Sequence, residues 1–212
     1  MTDRRPLASR DTGWARMITR KLAATQVTPN QISIASIGFA AVAGFGFYMG
    51  ARADGFGGAV ALLVAALCCQ LRLLCNLFDG LVAVEAGKGS PDGAYWNEAP
   101  DRISDVFIFV GLGLGVGLPG LGWAAAAMAI GTAYVRELGR ATDGVNDFSG
   151  PMAKPQRMAV LTIAAIVACL APLWGATGLG LLIATLWLVL IGSAATSVRR
   201  SMALIGRLNA RV

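Results

Sequence analysis

Two short polar clusters interrupt an otherwise apolar chain: Asn76-Leu-Phe-Asp79-Gly80-x-x-Ala83, and Gly93-x-x-x-Asn97-x-x-x-Asp101. In each, oxygen-bearing side chains recur every three or four residues, the spacing that stacks them on one face of a helix. Carboxylate and amide-carbonyl oxygens gathered in this way suit a hard divalent cation, Mg²⁺ or Mn²⁺, and phosphate oxygens beside it. Acidic side chains in or at the edge of a membrane are costly to place there, which points to function. Asn76, Asp79, Asn97 and Asp101 are therefore the candidate cation ligands. Glu98, which adjoins Asn97, is a further candidate, with Glu85 and Asp105 close enough in sequence to restore charge that the two asparagines lack. The chain has no histidine, which removes His-based acid–base catalysis and most zinc chemistry. Catalysis must run on carboxylates, amides, basic side chains and metal.

This spacing resembles the signature of the CDP-alcohol phosphatidyltransferases, Asp-x-x-Asp-Gly-x-x-Ala-Arg, eight residues, then Gly-x-x-x-Asp-x-x-x-Asp. From Ala83 through Gly93 to Asp101 the match needs no insertion; Asn76 and Asn97 stand where the family has aspartate, and Val84 where it has arginine. The resemblance covers Pro29 to Arg157 and includes a Pro-Asn-x-x-Ser start to the first span. It implies an integral membrane enzyme that transfers a phosphatidyl group from a CDP-linked lipid such as CDP-diacylglycerol to an alcohol and releases CMP. In the family, four aspartates hold two divalent cations against the donor diphosphate. Carried over, Asn76, Asp79, Asn97 and Asp101 take those places, Asp101 is the general base, and Gly80, Ala83 and Gly93 make room for the CDP donor. Arg72, one turn before Asn76, can supply the missing arginine's charge near the donor phosphates. Arg136, Lys154 and Arg157 resemble the acceptor-phosphate residues of phosphatidylinositol phosphate synthases and imply an anionic alcohol such as inositol phosphate or glycerol phosphate. The resemblance also implies a homodimer. The competing reading is a non-catalytic membrane protein that binds nucleotide or lipid, or scaffolds a neighbour, through a degenerate site.

The elements that must hold these residues are membrane helices. Hydrophobic residues make up 56% of the 212 and charged residues only 14%, far from the balance of a soluble domain. A bilayer crossing takes about 20 apolar residues, and six such spans can be read, over 32–50, 56–84, 101–117, 121–138, 158–174 and 179–197. The expected fold is all-α and polytopic. An amphipathic segment over 12–25 precedes it, with Trp14, Met17, Ile18 and Leu22 on one face, suited to lying in the membrane interface. The expected organisation is a cytoplasmic N-terminal segment 1–31, a six-helix domain 32–198 and a basic tail 199–212. Lys and Arg gather before the first span, in the second-to-third and fourth-to-fifth connections, and after the last. By the positive-inside rule both termini and the polar clusters face the cytoplasm. The net charge of +6 is this topology signal together with attraction to anionic membrane lipids, and no nucleic-acid-binding module is visible. The glycines at 111, 113, 115, 117 and 120 read as close helix packing. Cys68, Cys69, Cys75 and Cys169 fall in apolar spans and read as packing residues.

Overall fold

The computed structural model describes residues 12–85 and 87–211. Arg4, Arg5 and Arg10, part of the N-terminal basic cluster, lie outside them. Seven α-helices are present among the described residues: α1 Gly13–Ala23, α2 Pro29–Gly50, α3 Gly55–Glu85, α4 Gly93–Gly115, α5 Pro119–Asp143, α6 Lys154–Leu170, extended by a 3₁₀ turn Ala171–Trp174, and α7 Leu179–Asn209. Helices α2 to α7 close into a ring in the order α2, α3, α6, α7, α5, α4, each packed on the next. Four of them, α2, α3, α6 with its 3₁₀ turn, and α7, are long and apolar enough to cross a membrane. That is the architecture of an all-helical integral membrane protein. At 31 residues, α3 is about 46 Å long. It outruns a hydrocarbon layer of about 30 Å, so its last turns, which carry Asn76 and Asp79, can reach headgroup depth.

Local sequence explains where the helices start. Thr28 and Gln31 form a capping box on α2: Gln31 N donates to Thr28 Oγ1 at 3.2 Å, and Thr28 N to Gln31 Oε1 at 3.0 Å. Pro29 opens the helix, where its missing N–H costs little. Helix α4 starts at Gly93, a full two turns before the expected span, because Asp92 organises its first turn. The Asp92 carbonyl accepts from Tyr95 and Trp96, and Trp96 Nε1 donates to its carboxylate at 2.8 Å. Hydrogen bonds from Ser90, Trp96 and Asn30 hold the Asp92 carboxyl below the usual range. Pro100 consequently lies inside α4 rather than at its start. The expected basic tail is likewise helical, since α7 runs unbroken to Asn209.

Glycine sets the closest helix approaches. A Cβ on Gly111 of α4 would lie 2.3 Å from the Gly44 carbonyl oxygen of α2, and one on Gly113 would lie 2.6 Å from Gly122 Cα of α5. Gly150, at φ +116°, turns the α5–α6 connection against α7, where a Cβ would strike Thr196 at 2.5 Å. The four cysteines are unpaired. Helix α1 packs on α3 rather than standing apart. It buries Ala15 and Thr19, seats Ile18 and Leu22 against Phe78 and its neighbours, and sets Trp14 edge-on to Phe78. The buried stripe is therefore rotated from the expected one, and Trp14 and Met17 remain exposed.

Candidate active site

Asp79 and Asp101 are both almost fully buried, at 4% and 5% exposure, on α3 and α4. Neither is left to water. Asp79 Oδ2 accepts from Ser33 Oγ of α2 at 2.6 Å, and its Oδ1 from the Gly80 N–H at 2.5 Å. Asp101 Oδ1 accepts from Asn76 Nδ2 of α3 at 2.6 Å, and its Oδ2 from Lys154 Nζ at the start of α6 at 2.5 Å. Lys154 and Asp101 also act electrostatically on Asp79. Four helices thus converge on two carboxylates and one ammonium.

Beneath this pair lies a second, wholly buried ion cluster. Arg72 Nη2 donates to the Asp101 carbonyl at 3.0 Å and lies 3.5 Å from its Oδ1. It also lies 2.9 Å from Asp105 Oδ1, an ionic contact rather than a well-aimed hydrogen bond. The other Asp105 oxygen accepts from Arg157 Nη2 at 2.8 Å, and Arg157 Nη1 donates to the Met152 carbonyl at 3.1 Å. Charges with so little water around them persist only when paired and hydrogen-bonded. The cluster ties α3, α4 and α6 together one turn below Asp101.

Several expected site residues are placed differently from their sequence reading. Arg72 is fully buried and its guanidinium is taken up by Asp101, Asp105 and the Met158 sulfur. It positions Asp101 instead of reaching out toward donor phosphates. Arg157, at 3% exposure, is likewise held inside the bundle by Asp105, not turned toward an acceptor. Glu98 turns away from the carboxylate pair and bridges Arg102 and Arg136, the latter at 2.5 Å. It is spoken for by two guanidiniums and does not make up the missing cation ligand. Arg136 is shared between Glu98 and Glu137, with Phe148 beneath its guanidinium. Asn97 is exposed one turn before Asp101 on α4. Gly93 has only Ser90 Oγ near the place of a Cβ, at 3.6 Å, so there is open room above it.

Sequence reasoning missed Ser33 and Asn30. Both sit in the Pro29-Asn30-x-x-Ser33 start of α2, which reads as a helix cap, yet the cap is made by Thr28 and Gln31. Asn30 Nδ2 instead donates to Ser90 Oγ and Asp92 Oδ1, both at 3.2 Å, pinning the α3–α4 connection, while Ser33 holds Asp79.

A hard divalent cation takes several oxygen donors at once. Among the described residues no three acidic or cysteine side chains converge, so carboxylates alone do not make the site. Two buried carboxylates with the Asn76 amide beside one of them are oxygen donors of the kind a hard cation takes. Both Asp79 oxygens and Asp101 Oδ2 each take one hydrogen bond and keep a second acceptor direction, whereas Asp101 Oδ1 faces both Asn76 and Arg72.

No protein-family model matches the chain. Inner membrane protein YnbA of Escherichia coli K12 is 24% identical over 152 residues, 70% of this chain and 71% of that protein. Phosphatidylinositol phosphate synthase of Mycobacterium tuberculosis, solved with manganese and citrate, superposes with a TM-score of 0.72 at 22% identity, over 89% of this chain and 87% of that one. The same synthase with CDP-DAG bound gives 0.71, over 89% and 92%. The chain shares the synthase's fold.

Proposed function

We propose that this chain is a CDP-alcohol phosphotransferase of phospholipid synthesis, moving a phosphatidyl group from a CDP-linked lipid to an alcohol and releasing CMP. The observation that carries the reading is the convergence of Asp79 and Asp101 from successive helices onto one buried site. It occurs in a fold shared with a synthase solved with CDP-DAG. Asp101 takes the proton of the acceptor hydroxyl as that oxygen attacks the phosphorus distal to cytidine. The bond to the CMP oxygen breaks, and CMP leaves with the electron pair. Asn76, Asp79, Asn97 and Asp101 would hold a divalent cation, Mg²⁺ or Mn²⁺, which would supply charge neutralisation at the diphosphate. Gly80, Ala83 and Gly93 leave space for the donor. Lys154 and Arg136 are the basic groups toward the acceptor, and an anionic alcohol suits them, as in a phosphatidylinositol phosphate synthase or a phosphatidylglycerophosphate synthase.

The remaining parts of the reading concern the membrane. Helices α4 and α5 complete six spans, with the acidic residues of α4 sheltered by α3 and α6. Helix α1 lies at the interface, with Trp14 and Met17 toward lipid and Arg16, Arg20 and Lys21 toward headgroups. Both termini and the site face the cytoplasm, where the basic connections lie. The enzyme works as a homodimer.

Purified protein given CDP-diacylglycerol and a panel of alcohols tests the proposal by CMP release. Release with a phosphorylated alcohol, abolished by a chelator and restored by Mg²⁺ or Mn²⁺, is the expected result. No release with any alcohol, or release indifferent to exhaustive chelation, would overturn it.

A further inference from the structure

We infer that this site takes a single divalent cation, with the Lys154 ammonium as its second positive charge. The inference rests on the function proposed above and concerns what the two asparagines and Lys154 do to the cation. Asp101 and Asp105 contact Arg72, Lys154 and Arg157 directly, and Asp79 lies within electrostatic range of Lys154 and Asp101. Three carboxylates and three cations cancel, so the site is neutral before any ligand enters. A diphosphate esterified at both ends brings one negative charge on each phosphate. One divalent cation restores neutrality. A second would leave two uncompensated positive charges beside side chains that are mostly under a tenth exposed, where unbalanced charge is most costly.

Geometry agrees with the charge count. Lys154 Nζ lies 2.5 Å from Asp101 Oδ2 and acts on Asp79 as well. It therefore fixes one positive charge on the Asp101 carboxylate from α6. The Asn76 amide covers the other Asp101 oxygen at 2.6 Å. A half-turn of that amide exchanges its N–H for a carbonyl oxygen, giving a neutral ligand where an aspartate would add charge. The chain thus has room to coordinate one ion without displacing Lys154, but lacks the anionic oxygens for two.

Mn²⁺ titration of the detergent-purified full chain, followed by the electron paramagnetic resonance of free Mn²⁺ with and without CDP, reads the stoichiometry without any turnover. The parent chain should bind one Mn²⁺, and the Asn76→Asp, Asn97→Asp double variant two. Lys154→Met should tighten Mn²⁺ binding by about tenfold or more, the scale on which one neighbouring unit charge moves an equilibrium. Lys154→Arg, which keeps the charge, should bind as the parent does. Two Mn²⁺ or none on the parent would overturn the inference, as would unchanged affinity in folded Lys154→Met. The parent stoichiometry decides the matter even where a variant does not fold. One Mn²⁺ bound without CMP release from any alcohol would remove the proposed reaction and leave the stoichiometry standing. Two Mn²⁺ with normal CMP release would do the reverse.

Discussion

Replacing Asp105 by asparagine removes one charge and almost no volume, and the structure says what is left behind. Arg72 and Arg157, at 0% and 3% exposure, share that carboxylate from opposite sides. In the variant Arg72 keeps the Asp101 carbonyl, a 3.5 Å contact to its carboxylate and the Met158 sulfur, while Arg157 keeps the Met152 carbonyl and a 3.3 Å contact to Thr132. Breaking a buried pair by removing one partner costs about 3–5 kcal/mol, because the surviving charge stays desolvated. For a chain of this size each kcal/mol lowers the melting temperature by about 2–4 °C, so Asp105→Asn should melt roughly 6–20 °C below the parent. Tryptophan fluorescence during heating in detergent reads this directly. Adding Arg157→Met to Asp105→Asn should recover part of the loss, since one orphaned guanidinium is gone. A single variant melting within about 2 °C of the parent would refute the claim that Asp105 neutralises two buried arginines.

Other outcomes are equally specific. Asp101→Asn keeps an oxygen ligand and removes the base, so CMP release should fall by about 10²–10⁴ while donor binding persists; near-normal turnover would exclude Asp101 as the base. Gly111→Ala forces a methyl onto the Gly44 carbonyl and should cost about 1–3 kcal/mol, whereas Gly120→Ala, with nothing within 4 Å of its Cβ, should be near neutral. Equal melting of the two variants would show that the α2–α4 seam is not tight. Lys154→Ala should raise the acceptor KM more than the donor KM, by roughly ten- to a hundredfold for one charge-assisted contact of about 1.5–3 kcal/mol. An equal effect on both substrates would confine Lys154 to holding Asp101.

The helices were legible because apolar runs of bilayer length leave little choice, and the runs read from sequence fall within a few residues of α2, α3, α5 and α6, whereas α7 continues to Asn209, well past the apolar run. The start of α4 was not legible, since Pro100 looks like a helix opening and only the Asp92–Trp96 contact shows the helix already under way. Spacing placed the polar residues of each cluster on one helix face, but the meeting of Asn76 with Asp101 across α3 and α4 lies outside what spacing within a helix can show. It could not say which carboxylate an arginine chooses. Arg72, Glu98 and Arg157 all had plausible ligands on the substrate side, and each is held by a protein partner that lies far away in sequence. Ser33 escaped notice for the same reason: its bond to Asp79 crosses 46 residues, whereas its helix-start context is local.

The buried arginine of α3 also constrains how the chain is made. Asp101 follows Arg72 by 29 residues, and Arg157 follows Asp105 by 52, so on the ribosome each charge is synthesised well before its partner. Helix α3 carries its arginine into the bilayer unaccompanied, at a cost of about 2.5–3.5 kcal/mol that its apolar flanks offset. Under the six-span arrangement proposed above, α4 is too polar to enter alone and finds that arginine already waiting for its two aspartates. Helix α3 is then an insertion template for its successor. Arg72→Leu would help its own helix into the membrane and hinder the next, an opposition that glycosylation tags placed after α3 and after α4 would register as opposite changes in membrane insertion.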